Sequence, residues 1–167
     1  QAGAVRHAAF HLLRKGHTHL ILVHVQSEAT GLRSAQKAFR QACSEWNRAP
    51  IKAQLISIKL DQVSLISSMP RLAKRISERT GILVLSPVPF TMVTTALLQH
   101  GISVPKQAET VALLQPQELL QVYPPPIHYE WPRAAIVRHI TSAAERYFST
   151  GVLPAESKDI IAEVAKS

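Results

Sequence analysis

The sequence predicts an α/β fold, a parallel sheet with helices on both faces, and three features of it carry that expectation. Segments with helical spacing alternate with short apolar segments. Those apolar segments run continuously rather than alternating polar and apolar, as strands buried on both faces of a parallel sheet do. Glycines stand where helical patterns stop, and the connections after them are short.

The first helix carries Val5, Ala8, Ala9, Leu12 and Leu13 on one face, with Arg6, Arg14 and Lys15 elsewhere, and Gly16 ends it. His17 then leads into a strand from Leu20 to Val25, apolar except at His24. A second helix shows the stripe Leu32, Ala35, Phe39, Ala42, Cys43 and Trp46, broken by Asn47 to Pro50. Leu55, Ile56, Ile58 and Leu60 mark a second strand within residues 53–60. Pro70 suits the first turn of a third helix, with Ser67 and Ser68 as caps, Leu72, Ala73 and Ile76 as its apolar face and Gly81 as its stop.

Ile82 to Leu85 reads as the third strand, and Phe90, Val93, Ala96 and Leu97 as the next helix, stopped by Gly101. The loop Ile102-Ser103-Val104-Pro105 leads to a fourth strand at Thr110 to Leu114. The order αβαβαβαβ calls for right-handed crossovers. A polar turn at Gln115, a short segment from Glu118 to Val122 and Pro124-Pro125-Pro126 read as a linker. Ile127 to Trp131 is strand-like, and Pro132 opens a helix with the apolar face Ile136, Ile140, Ala143, Ala144, Tyr147 and Phe148, closed by Gly151. A last short helix is expected after Pro154, with Ile160, Ile161 and Val164 as its contacts.

At 167 residues and 46% apolar, the chain is one domain large enough to bury a real core, and no apolar run reaches a membrane span. The single cysteine, Cys43, excludes an intramolecular disulfide and leans towards the cytosol. The net charge of +8 would suit nucleic acid, and Arg71, Lys74, Arg75 and Arg79 give one helix a basic side. The other cations are scattered and no aromatic residues interleave with them in sequence, so a solvated face is the plainer reading.

His7 and His11 have the spacing of two metal ligands on a helix but lack a third, and read as a solvent-facing pair. His17 and His19 read as junction residues and Cys43 as core. With no nucleophile elbow and no phosphate loop, no catalytic residue, metal or cofactor is expected, and the chain does not read as an enzyme.

Taken together, the segments resemble the second half of the effector-binding domain of lactose-repressor-type (LacI/GalR) transcription regulators, a periplasmic-binding-protein-like, type I lobe. The resemblance rests on His11-Leu12 with Gly16-His17, the stretch Arg33 to Phe39, Gly101-Ile102-Ser103-Val104-Pro105 before Thr110 to Leu114, and Pro125-Pro126-Ile127. It spans about residues 4–150. It implies one effector-binding and dimerisation domain over 1–167, mostly a C-terminal lobe (about 4–122), with a crossover linker and strand at 123–131 and terminal helices at 132–167.

The implied function is ligand sensing, with a sugar or related small molecule as effector, in a cytoplasmic homodimer without membrane contact. Operator DNA would be reached only through an N-terminal domain that this chain does not contain. The alternatives are a periplasmic solute-binding protein of a transporter and, less favoured, a small α/β enzyme.

Ligands of open α/β sheets sit beyond the carboxyl ends of the strands, which selects Gln26, Ser27, Arg33, Ser86 and Gln115 as the ligand-binding candidates. The family's arginine position is Ala35 here, with Arg33 as its nearest substitute; its Asn-Asp reads Ser86-Pro87, and its later acidic residues read Gln115-Pro116. The first lobe, on which the helix from Pro132 to Phe148 normally packs, is outside this chain. That helix is expected to bury its stripe against the main sheet or another chain.

Overall fold

The computed structural model describes residues 1–115, 122–123, 125–152 and 163–164. Element order is α1 (Ala2–Arg14), β1 (His19–Val25), α2 (Thr30–Ser44), β2 (Lys52–Ile58), α3 (Gln62–Ala73), β3 (Thr80–Leu85), α4 (Phe90–Gln99), β4 (Ala108–Leu113), β5 (Ile127–Glu130), α5 (Arg133–Thr150) and β6 (Glu163–Val164). The strands form one sheet in the order β2-β1-β3-β4-β5-β6; β1 to β5 are parallel, and β6 pairs antiparallel to β5. The expected fold class is the observed one.

The sheet separates two cores. On one face α1 and α2 cover Leu20, Leu22, Leu83, Val111 and Tyr129, with Val5, Leu12 and Phe39 fully buried between. On the other, α3 and α4 cover Ile21, Val23, Ile82, Val84 and Ala112 through Leu72, Phe90 and Leu97. The central strand β3 is buried along its whole length, which is why it carries no alternation. At the edge, β2 is partly exposed and opens with Lys52, a charge that blunts strand addition.

Gly16 takes φ 89 and Gly101 φ 71, so both end their helices in the left-handed region, as the sequence implies. Gly81 behaves otherwise. It lies inside β3, where a Cβ would stand 2.8 Å from both Leu12 Cδ1 and Leu20 Cδ2. Its missing side chain lets α1 approach the sheet, so it does not stop a helix.

The third helix likewise begins earlier than expected. Asp61 caps it, its side chain accepting from Ser64 N at 2.8 Å, and Val63, Leu65, Ile66 and Met69 supply the missing turns. Ser67 and Ser68 are not caps; their hydroxyls donate to Ser64 O. Pro70 sits near the end of α3, where the lost N–H removes one bond and leaves the last turn able to close. Lys74 is the helix's last cap and Arg75 and Arg79 lie beyond it, so the four cations do not share one helix.

Leu60 falls after β2 and is exposed. The segment 118–121, Pro124 and the helix expected after Pro154 lie outside the described residues, except that Val164 belongs to strand β6, opposite Tyr129, rather than to a helix. Helix α5 has the expected span and closes at Gly151 with φ 70, yet none of its residues is buried. Its stripe therefore does not pack on the main sheet. Val137, Ile140, Tyr147 and Phe148 face outward.

Candidate functional site

The carboxyl ends of β1, β3 and β4 lie at one edge, because Val23 pairs with Val84 and Leu85 with Leu113. Gln26 and Ser86 follow β1 and β3 directly, and Gln115 stands one residue past β4, after Leu114. Backbone bonds fix the edge: Gln26 N donates to Ile58 O at 2.8 Å and Ser86 N to Leu113 O at 2.9 Å. Leu114 turns the chain with φ 58, a conformation that strains a side-chain-bearing residue, and its N–H donates to Tyr129 O at 2.7 Å.

The five candidates divide by what already holds them. Gln26, Ser27 and Arg33 are exposed. The Ser27 hydroxyl accepts from Ala29 N at 3.1 Å, closing the turn before α2. The Arg33 guanidinium donates to Glu28 O at 2.9 and 3.2 Å and lies 3.8 Å from the Glu28 carboxylate, with much of its surface still open to water. Ser86 is half-buried. Gln115 is buried and its amide donates to Val88 O at 2.8 Å, so it braces the loop after β3.

Ala35 is fully buried in the core under α2, so that position offers nothing to a ligand. The sequence pattern did not single out a pair two residues before Gln26, His24 with Gln36. His24 is buried, its Nδ1 bonding Val25 O at 2.8 Å and its Nε2 lying 3.1 Å from the Gln36 amide nitrogen. A carbonyl only accepts, so Nδ1 carries the proton and Nε2 accepts from Gln36. The signal was a lone polar residue in an apolar strand.

The remaining chemistry-bearing groups are tied elsewhere. His7 is exposed as expected, although its Nδ1 bonds the Tyr129 hydroxyl at 2.6 Å, whereas His11 is half-buried rather than facing solvent. Burial lowers the His11 pKa and raises that of Tyr129. His17 bonds Glu109, and His19 lies 3.2 Å from both Ser77 Oγ and Thr80 Oγ1, its pKa lowered by burial and then by Lys52. Burial pushes the Cys43 thiol up to about 11, the opposite of what a nucleophile needs. Among the described residues no group of three or more His, Cys, Asp or Glu is placed to hold a metal. Nor is any helix long and apolar enough to cross a membrane. The edge offers hydrogen bonds and one guanidinium.

Residues 9–151 match the model of the periplasmic binding protein-like domain. The chain belongs to that family. No curated protein matches it. Among solved structures, this periplasmic-binding-protein-like domain is similar to a LacI family transcriptional regulator from Enterococcus faecium with bound ribose, at TM-score 0.82 and 15% identity over 99% of this chain and 61% of that one. A periplasmic binding protein/LacI transcriptional regulator from Alkaliphilus metalliredigens complexed with D-xylulofuranose gives 0.80 and 17%, over 99% and 61%. A dimeric Lac repressor gives 0.80 and 16%, over 99% and 60%. At such identities the likeness is one of fold. The chain spans about three fifths of the length of these structures.

Proposed function

We propose that this domain is the ligand-sensing and dimerising part of a LacI-type transcription regulator, with a sugar or related small molecule as effector. The observation that carries the reading is the shared carboxyl edge of β1, β3 and β4 with Gln26, Ser27, Arg33 and Ser86 on it, in a fold whose solved relatives include two with sugars bound. Gln115 acts behind the edge by holding Val88. DNA would be bound by a separate domain, and the protein would work in the cytoplasm without catalysing a reaction.

In this reading the C-terminal lobe spans about residues 4–122, the crossover linker and strand 123–131, and the terminal part of the domain 132–167. The outward Val137, Ile140, Tyr147 and Phe148 of α5 supply an apolar face for a first lobe, and the ligand would close the cleft between lobes. Population shift supplies the mechanism: a ligand that binds the closed arrangement better changes the spacing of two DNA-binding heads. The second copy would dock on α3 and α4, where exposed Ile66 lines a hollow of about 480 Å3 with Met69 and Met92, and Val63 and Leu98 are exposed on the same two helices.

A thermal-shift screen of the protein with pentoses, hexoses and their phosphates tests the proposal. A ligand at about 100 times its Kd adds about 2.7 kcal/mol of stability, so a rise in Tm with one sugar class is expected. No rise with any of them contradicts it.

A further inference from the structure

Helices α1 to α4 each lead into the strand that follows, so the turns entering β1 to β4 gather at the amino edge of the sheet, opposite the proposed effector edge. Backbone bonds join these turns. Lys52 N donates to Thr18 O at 2.9 Å, and His19 N to Arg79 O at 3.5 Å. Thr80 pairs with His19 on one side and Ala108 on the other, and Ala108 N donates to Ser103 O at 3.2 Å, which closes the loop carrying Lys106 onto the same row. Lys74 and Arg75 lie just upstream of Arg79, where α3 ends and Arg75 N donates to Leu72 O at 2.9 Å.

Lys52, Lys74, Arg75, Arg79 and Lys106 are all exposed. Of the carboxylates in these turns and at the start of β4, Glu45 is held by Arg6 and Glu109 by Lys15 and His17, which leaves Glu78 against five cations. The negative end of α3 accounts for a cation at Lys74 but not for Lys52, Arg79 and Lys106, which stand on a strand and in turns. Arg79 also holds φ 58, a backbone conformation that strains a side-chain-bearing residue. The effector edge carries no such excess: Glu28 and Asp61 there offset Arg33 and Lys59.

Among the described residues, the turns of the amino edge expose no large apolar side chain. A lipid surface or the core of a protein interface takes apolar or aromatic anchors, and single-stranded nucleic acid takes stacking rings. Contacts to the phosphates of a duplex need cations alone. We infer that the amino edge of the sheet is a binding surface for the backbone of duplex nucleic acid, with Lys52, Arg79 and Lys106 on the phosphates and Lys74 and Arg75 flanking them. Such contacts carry no sequence, so they add to a separate operator-reading domain and do not replace it. The surface does not rest on the effector reading.

The test mixes the 167-residue protein with a labelled DNA duplex and follows fluorescence anisotropy from about 50 to 200 mM salt. Five cations on B-DNA predict a log–log salt slope of about −4.5, and Lys52→Gln with Arg79→Asn should reduce its magnitude by about 1.8 while weakening binding. Lys37→Gln with Arg40→Gln removes the same charge from the exposed side of α2 and should leave the slope nearly unaltered. Circular dichroism checks each fold; if the Lys52 and Arg79 variant loses it, Lys106→Gln, in a loop, should still lower the slope by about 0.9. A second duplex of unrelated sequence should bind equally well. Absence of binding at the lowest salt, equal losses from the two paired variants, or equal competition by poly-glutamate would overturn the inference; the last result would assign the edge to an acidic protein.

Discussion

His17 Nε2 lies 2.9 Å from Glu109 Oε2, which ties the turn after α1 to the start of β4; Lys15 closes on the other oxygen at 2.6 Å. Both partners of the first pair are mostly shielded from water, so solvent screens the contact less than it would a surface pair. The bond from His17, opposed by burial and aided by Lys15, holds the Glu109 pKa down to about 2.

A carboxylate with a depressed pKa stabilises the fold above its unfolded value, and that stability is lost as pH falls through the folded value. Glu109→Gln should therefore cost about 2 kcal/mol at pH 7, a figure discounted for partial exposure. The gap between the two proteins should shrink from about pH 4.5 towards pH 2. Urea unfolding at pH 7 and at pH 3 measures it; an unchanged gap would show that the contact does not titrate with folding.

Gly81 should be intolerant of a methyl group. Gly81→Ala places a Cβ against Leu12 and Leu20, both without exposed surface, and overpacking of this kind costs about 1–3 kcal/mol. Adding Leu12→Val should recover part of that loss, because the two sites share one contact and their effects do not add. Denaturant midpoints of the two single variants and the double variant decide it.

Gln115 and Arg33 should separate stability from binding. Gln115→Ala removes the donor to the Val88 carbonyl, and an unsatisfied buried acceptor costs about 1–3 kcal/mol. Arg33→Ala, at an exposed position, should change unfolding by less than about 0.5 kcal/mol while weakening the response to sugar. Parallel unfolding and thermal-shift titrations test both halves; a destabilised Arg33→Ala protein with unaltered ligand response would reverse the assignment.

How much of this was legible follows from where the governing contacts lie. The α1–Gly16–β1 unit was readable because its signals are local: one apolar face, a glycine at φ 89, then a continuous apolar run. The start of α3 was misread because Pro70 resembles a first-turn proline, while the Asp61 cap lacks the glutamate that completes a capping box. Gly81 was misread for a different reason: its role depends on Leu12, far away in sequence.

The site was legible to the same degree. Strand ends located Gln26, Ser86 and Gln115, since the parallel register carries them to one edge. Which of them faces solvent was not, because the bond from Gln115 to Val88 depends on how two loops pack. The contact between Phe10 and Trp46, whose rings lie 6.4 Å apart, was invisible for that reason too: Phe10 is on α1 and Trp46 stands past the end of α2.

Ile66 should govern self-association. Exposed on α3 beside the hollow with α4, it gains burial only from a partner, so Ile66→Glu should shift the protein towards monomer while its own unfolding changes by less than about 0.5 kcal/mol. Sedimentation velocity across a concentration series reads the outcome; an unaltered distribution would move the proposed interface elsewhere.

The most direct test of the sensing claim is an amide chemical-shift titration with ribose, the sugar bound in the Enterococcus faecium structure. Saturable shifts confined to residues 26–28, 33, 86–88 and 114–115 are the result expected. Saturable shifts centred on Met69 and Met92, or no saturation with ribose or any other pentose or hexose, would contradict a sugar sensor at the strand ends.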